Sequence, residues 1–219
     1  MRFINDDKGM TLTELLVVCV LASMILAASF FLFAAAQAMN NDATARAYAA
    51  DESQAALDKM SLELRQGEEN GVNNGVFTVA SPNEVAFFSD INRDGRAELI
   101  HYYVEGGALK RTMAAATSAA PPWTHAAPGA PTTLIPELQN GTTSDPVFCY
   151  HNMSSSTTAT CGTTTYRDNH HGFGVVTAAD PSISMVGITV VARGTSGDAN
   201  VDVTTFQLVR VRAVQNKVN

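Results

Sequence analysis

The sequence predicts an α+β protein in which one long N-terminal helix is followed by an antiparallel β-sheet head. Three observations lead to this prediction. A strongly apolar, uncharged stretch begins at Leu15, and no proline or glycine interrupts residues 10–66. From Gly71 onward, short runs of alternating apolar and polar residues are separated by turn-forming Gly, Pro, Asn and Ser, which is typical of hairpin-connected strands.

Composition and charge exclude several classes of function. Charged residues make up 16% of the chain and hydrophobic residues 46%, which is the opposite of a disordered sequence. The formal net charge of −7 opposes binding to a phosphate backbone, so we expect no direct nucleic-acid binding. The sequence contains no GxSxG, HExxH or P-loop motif, and we therefore expect no enzymatic activity.

The N-terminus divides into a short polar leader and an apolar run. Residues 1–9 are polar and end in Lys8-Gly9, whereas Leu15 to Ala36 contains no charged residue. A helix needs about 20 apolar residues to span a bilayer, so this run predicts a transmembrane segment at about residues 15–36. It is too long for a secretory signal, whose apolar region has about 7–15 residues. The small residues Ala34-Ala35-Ala36 keep a cut near Ala36 open as an alternative.

This arrangement resembles the leader of type IV prepilins and of type II secretion pseudopilins. In that family a membrane peptidase cuts after the glycine and methylates the new N-terminus. The cut would fall between Gly9 and Met10 here, and Glu14 would stand at the position of the family's glutamate. Two features depart from the family pattern. Met10 replaces the phenylalanine of most major pilins, and Asp6 and Asp7 dilute a leader that is usually net basic.

The resemblance implies a pilin-like fold with a leader at residues 1–9, a long helix at 10–66 and an extracytoplasmic β head at 67–219. It implies a filament subunit whose partners are the prepilin peptidase, other pilin or pseudopilin subunits, the inner-membrane assembly platform and the lipid bilayer. The location would be the bacterial inner membrane, then a periplasmic or surface filament. Arg2 and Lys8 precede the span, so the positive-inside rule places the N-terminus inside and the head outside.

Glu14 lies at the edge of the apolar run. A carboxylate in this position is costly, and by default it indicates a functional role. It lies about one helical turn from the amine that cleavage would create on Met10. In a bundle of parallel helices, the carboxylate of one subunit would neutralise the amine of its neighbour, which favours a role in filament assembly. The alternative is that Glu14 is simply solvated at the membrane surface.

The second half of the predicted helix is amphipathic, and we expect it to dock on the head. Gly67 then offers a C-cap. A continuous helix over residues 10–66 would be about 85 Å long. A kink at Asn40-Asn41 remains an alternative. The residues predicted to form the docking face recur at helical spacing: Ala43, Ala47, Ala50, Leu57, Met60 and Leu64.

The head is predicted to contain a meander of short strands and a closing hairpin, with irregular loops over residues 114–173. Residues 87–111, together with the closing hairpin, resemble a minor pseudopilin of the J type, a layout shared with minor pilins of DNA-uptake machines. The predicted strands are Gly75–Ala80, Val85–Ser89, Leu99–Val104, Ala108–Met113, Ile183–Ala192 and Val201–Val214.

Asp90, Asn92 and Asp94, followed by Gly95, match the first half of an EF-hand loop. Oxygen ligands at this spacing suit calcium. The closing glutamate is missing, because His101 occupies its position. A hairpin turn rich in Asn, Asp and Gly is therefore the alternative, and no other cofactor is expected.

Cys149 and Cys161 flank a Ser/Thr-rich segment of the predicted head. In an oxidising compartment such a pair is expected to form a disulfide, worth about 3 kcal/mol in the chain-entropy model. Cys19 lies in the apolar run and would remain a free thiol. A metal site that combines these cysteines with histidines has no supporting spacing.

Three functional hypotheses follow. The first is a minor pilin or pseudopilin that assembles into a filament. The second is a single-pass, membrane-anchored binding or adhesion module. The third is a secreted protein cut near Ala36. The mature N-terminus distinguishes them, since it would be Met10 in the first case, residue 1 or 2 in the second, and a residue beyond Ala36 in the third.

Overall fold

The computed structural model describes residues 11–70, 75–142, 144–152, 160–161, 164–165, 174–175 and 183–211. Within these ranges the chain has the predicted α+β, pilin-like architecture, with a long N-terminal helix packed on antiparallel sheets. The elements are α1 (Leu12–Arg65), β1 (Phe77–Ser81), β2 (Glu84–Ser89), β3 (Glu98–Glu105), β4 (Ala108–Ala114), β5 (Thr132–Ile135), β6 (Phe148–Asn152), β7 (Thr160–Cys161), β8 (Thr164–Thr165), β9 (Gly174–Val175), β10 (Ile183–Ser196) and β11 (Ala199–Arg210).

The strands form two main sheets. The first has the order β1-β2-β3-β4-β5, and the second has the order β11-β10-β6-β9. Strands β7 and β8 pair with each other. All of these pairings are antiparallel. The second half of α1 packs on β10 and β11 of the second sheet, and the main apolar core of the described residues lies between the helix and both sheets.

The helix is continuous over 54 residues, so it has no break at Asn40-Asn41. Its C-cap is Gln66, whose backbone N–H donates to the carbonyl of Glu63 at 3.2 Å, and the backbone N–H of Gly67 donates to the carbonyl of Leu64 at 3.2 Å. Gly67, the residue predicted to cap the helix, follows Gln66 and takes part in this helix end through that hydrogen bond, and its lack of a side chain also serves packing. A Cβ at Gly67 would lie 2.8 Å from Cγ1 of Val76, so the close approach of that side chain favours glycine here.

The docking face of α1 differs from the predicted one in its first half. Leu57, Met60 and Leu64 are buried as expected, but the predicted alanines at 43, 47 and 50 are exposed. The buried face in this part of the helix is formed instead by small residues on a different side. The buried residues of α1 are Ala45, Ala49, Ser53, Ala56, Leu57, Met60, Ser61, Glu63 and Leu64.

Gly194 in β10 explains this shift. A Cβ at Gly194 would lie 1.8 Å from the carbonyl oxygen of Ala45 and 3.1 Å from Cβ of Ala49. The helix backbone therefore rests directly on the strand at this glycine, and only alanine fits on the contacting face. Alanine occurs on every side of this part of the helix, so its spacing alone does not identify the buried side.

Four strands, β5 to β8, lie where the sequence predicted only irregular loops, and two of them join the main sheets. β5 pairs with β4 and extends the first sheet, while β6 pairs with β10 in the second sheet. In β6 the side chains of Phe148 and Tyr150 are buried in the main core. The alternation that would have revealed β6 is only five residues long, and the Ser/Thr-rich sequence that follows hides it.

The segment Glu137–Asn140 joins the two sheets. Gln139 N–H donates to the carbonyl of Val191, and Arg193 N–H donates to the carbonyl of Glu137. The side chain of Asn140 completes the connection, because its amide donates to the carbonyl of Thr189 at 2.8 Å and its oxygen accepts from Val191 N–H at 3.0 Å. Buried Asn140 thus takes the place of a backbone partner along the edge of β10.

Candidate processing and assembly site

The N-terminus of α1 is capped by Thr11. Its backbone is extended, with φ −75° and ψ 152°, and its hydroxyl accepts a hydrogen bond from the backbone N–H of Glu14 at 3.3 Å. Such a cap satisfies one of the N–H groups that a helix leaves free at its start. The helical geometry of Glu14 is therefore fixed locally.

Glu14 occupies the first turn of α1 and is exposed, with Leu15 and Leu16 exposed beside it. Its negative charge lies where the helix dipole favours an anion. Gly9 and Met10, the two predicted processing residues, lie outside the described residues. Glu14, the predicted assembly residue, thus lies on a regular helix, about one turn after the first described residue.

The first half of α1 is left uncovered by the other described parts of the chain. Residues 11–40 are all exposed, and by length and composition the helix is long and apolar enough to cross a membrane. The two serines of this half satisfy their hydroxyls internally, since Ser23 donates to the Val20 carbonyl at 2.7 Å and Ser29 to the Ile25 carbonyl at 2.8 Å. This internal pairing suits a helix in an apolar environment.

The family comparison agrees with this geometry. Residues 4–30 match the prokaryotic N-terminal methylation motif. The chain carries a type IV pilin-like prepilin signal. This signal implies processing by a prepilin peptidase and assembly with other pilin subunits. Together with the apolar helix, it is consistent with a single-pass protein anchored in the inner membrane. No curated protein matches the chain.

A buried ionic cluster holds the other end of α1 to the head. Arg111 in β4 donates to Glu63 from Nε at 3.0 Å and from a terminal nitrogen at 2.8 Å. The hydroxyl of Tyr102 in β3 also donates to the Glu63 carboxylate. The side chains of Glu63 and Arg111 are only 8% and 10% exposed. A buried pair of this kind needs good geometry to offset desolvation, and the two-point contact supplies it.

The electrostatics of the cluster follow from this burial. Desolvation and the neighbouring Glu63 carboxylate raise the pKa of the Tyr102 hydroxyl, so it stays a donor. Burial alone lowers the pKa of Arg111, but its hydrogen bond and charge interaction with Glu63 outweigh that effect and leave the pKa raised. The Glu63 backbone carbonyl accepts from the hydroxyl of Ser89 at 3.0 Å. The last turn of α1 is therefore fixed to the first sheet by side chain and backbone together.

The sequence did not point to this cluster, because the partners of Glu63 lie 39 and 48 residues away. The Thr11 cap, in contrast, has a local signal. Thr11 and Glu14 have the spacing of a capping box, a threonine followed three residues later by a glutamate, and this pattern would have identified the start of the helix.

The loop between β2 and β3 contains the three candidate calcium ligands, and its oxygens bind backbone N–H groups. The Asp90 carboxylate accepts from the N–H of Asp94 at 3.1 Å and of Gly95 at 2.9 Å. Asn92 also accepts from Asp94 N–H, and Asp94 accepts from Arg96 N–H. These contacts are those of an Asx-stabilised turn. Among the described residues there is no group of three or more His, Cys, Asp or Glu side chains suited to a metal.

The predicted disulfide joins two strands of the head. Cys149 is buried in β6, and Cys161 ends β7. The side chain of Cys161 lies outside the described part of the chain, so the pairing stays a prediction. Cys19 is an exposed free thiol on α1. Of the histidines, His151 is buried in β6, and desolvation lowers its pKa. It lies on a strand and not in the loop that the sequence predicted.

Proposed function

We propose that this chain is a non-enzymatic minor pilin or pseudopilin. It is cut between Gly9 and Met10, anchored by the first half of α1 with its head outside, and assembled into a filament. One observation carries the proposal: the methylation motif stands on a helix whose apolar first half is left uncovered by the head. An apolar helix surface of this length needs a bilayer or other helices around it.

Within the family we propose a minor subunit of the J type. The meander of β2, β3 and β4, followed by a long closing hairpin of β10 and β11, supports this assignment. The proposed filament belongs to a type II secretion pseudopilus, a type IV pilus or a DNA-uptake machine. A disulfide between Cys149 and Cys161 would form after export, since the head would then be in an oxidising compartment.

Glu14→Gln tests the proposal most directly. The change removes the charge and keeps the shape, so cleavage at Gly9 should continue. Assembly should fall sharply, because each incorporated subunit would bring an unpaired amine into a water-poor helix bundle. The experiment measures the mass of the mature N-terminus and, separately, cross-linking of the variant to other pilins. Processed protein should accumulate in the membrane without entering the filament.

Asp42→Asn is the matched control. Asp42 is an exposed carboxylate on the same helix but lies beyond the apolar half, so its loss should leave both processing and assembly unchanged. A Glu14→Gln protein that assembles at the wild-type level would contradict the assembly role. A mature protein beginning at residue 1 or 2, or beyond Ala36, would contradict the proposed function itself.

A further inference from the structure

The turn between β10 and β11 lies beside the point where α1 leaves the head. A Cβ at Gly197, the tip of this turn, would lie 2.7 Å from the side-chain nitrogen of Asn41. Gly197 has a φ of 59°, which glycine adopts without strain. The turn is therefore built to let the Asn41 side chain approach it closely.

Asn41 also marks the lower limit of the head. Every described residue from 11 to 40 is exposed, and Asn41 is the first residue of α1 that is partly covered. The helix runs along the hairpin from this point. Ala45 contacts Gly194, and at the far end a Cβ at Gly67 would lie 3.2 Å from Cγ1 of Val211. The β10–β11 turn is thus the end of the hairpin that faces the apolar half of the helix.

Membrane dimensions place this turn at a definite depth. The hydrocarbon core is about 30 Å thick and each headgroup layer adds about 5–7 Å. If the apolar run ending at Ala36 fills the hydrocarbon, the step to Asn41 corresponds to about 7.5 Å along the helix axis. Asn41 and the turn beside it then lie within or just above the outer headgroup layer.

The residues of the turn suit that layer. Thr195, Asp198 and Asn200 are exposed, and Ser196 is half-exposed. They carry hydroxyl, amide and carboxylate groups that hydrogen-bond in a hydrated layer, and the segment from Thr195 to Asn200 has no large apolar side chain that would enter the hydrocarbon. Polar side chains of this kind favour the interface over the bilayer interior.

We propose that the β10–β11 turn, Thr195–Asn200, rests on phospholipid headgroups while the subunit is anchored in the membrane before assembly. The contact sets how close the head stands to the bilayer. The helix is docked against Gly194 just above the turn, so the head and the apolar span move as one body. The turn is then the part of the described head that lies nearest the bilayer. This inference rests on the membrane anchoring proposed above.

A fluorescent label at the turn tests the proposal. In a Cys19→Ala background of the full chain, the environment-sensitive dye NBD is attached at Asp198→Cys. The matched site is Arg93→Cys, in the exposed loop after β2. That loop begins beside Ser89, which bonds to Glu63, and Glu63 lies about 33 Å from Asn41 along the helix. The Cys19→Ala protein without an added cysteine is the control, and it shows how much dye attaches to the remaining native cysteines.

The labelled proteins are reconstituted in vesicles of phosphatidylethanolamine and phosphatidylglycerol that carry a headgroup-attached nitroxide lipid. We expect strong loss of fluorescence at position 198 and none at position 93. Similar quenching at both positions would overturn the headgroup contact alone. The absence of quenching at position 198, in protein that resists alkaline carbonate extraction, would do the same. Protein that carbonate extracts from the vesicles would overturn the membrane anchoring, and the inference with it.

Discussion

Residues 12–40 and 41–65 belong to one helix, yet they differ in what surrounds them. The first half is strongly apolar, and all of it is exposed. The second half carries charged residues along its length but buries a stripe of residues that includes Glu63 and ends at Leu64. Hydrophobicity therefore does not determine which half the head covers. The head packs on the second half because small side chains there allow close approach and because a buried ionic cluster holds the end of the helix. The apolar surface of the first half stays available to partners outside the chain.

The ionic cluster offers the largest expected effect. Glu63→Gln keeps the acceptor for Tyr102 but leaves Arg111 as an unpaired buried charge, which costs about 3–5 kcal/mol of unfolding free energy. The measurement is urea unfolding of the full-length protein in detergent, followed by the fluorescence of Trp123. Trp123 is the only tryptophan in the sequence and is 8% exposed in the folded head.

Two further variants sharpen this prediction. Arg111→Met in the Glu63→Gln background should recover part of the loss, because no buried charge then remains. Glu52→Gln is the control on the same helix. Partial burial and the nearby Glu137 carboxylate raise the pKa of Glu52, so removing its charge should cost nothing. A Glu63→Gln protein as stable as the wild type would mean that the cluster does not hold the helix.

The second prediction compares the same substitution in the two halves. Leu57 is 1% exposed in the docked half, and Leu32 is 74% exposed in the apolar half. Leu57→Ala should lower the unfolding free energy of the head by about 2–5 kcal/mol, because it leaves a cavity in the core. Leu32→Ala should change it by no more than about 0.5 kcal/mol. Equal losses in urea unfolding would contradict the division of the helix into a free half and a docked half.

The two halves of the helix also differ in how much of their role can be predicted from the sequence. The processing and assembly residues lie within a few positions of one another, so a local motif identifies them. Strands β2, β3 and β4 follow from their own alternation and differ from the prediction by at most one residue at either end. The Glu63 cluster and Asn140 depend on partners far along the chain, and no local pattern contains that information. The closing hairpin extends further toward its turn than predicted, whereas β11 ends at Arg210 and the last three residues of the predicted strand, 212–214, lie outside the described residues. β10 continues to Ser196, and Arg193 pairs across it with Asp202.

The third prediction concerns the closest contact between helix and sheet. Gly194→Ala places a methyl group 1.8 Å from the Ala45 carbonyl oxygen, so the helix must move away from β10. Overpacking of this kind costs about 1–3 kcal/mol. Gly187→Ala is the control in the same strand, since its nearest neighbours lie 3.4–3.6 Å away, and we expect it to be neutral. The readout is the urea midpoint, and an unshifted midpoint for Gly194→Ala would show that the helix does not rest on this glycine.

The smallest expected effect tests which side of the helix the head contacts. Ala47 belongs to the side that the sequence predicted to be buried, but it is exposed, whereas Ala49 is 1% exposed. Both alanine and leucine favour helix, so Ala47→Leu should change the unfolding free energy by no more than about 0.5 kcal/mol. Ala49→Leu, which overfills the contact with Gly194, should cost about 1–3 kcal/mol in the same urea experiment. If Ala47→Leu were the damaging change and Ala49→Leu were tolerated, the helix would be docked by the face that the alanine spacing predicted. The close approach at Gly194 would then not determine its rotation.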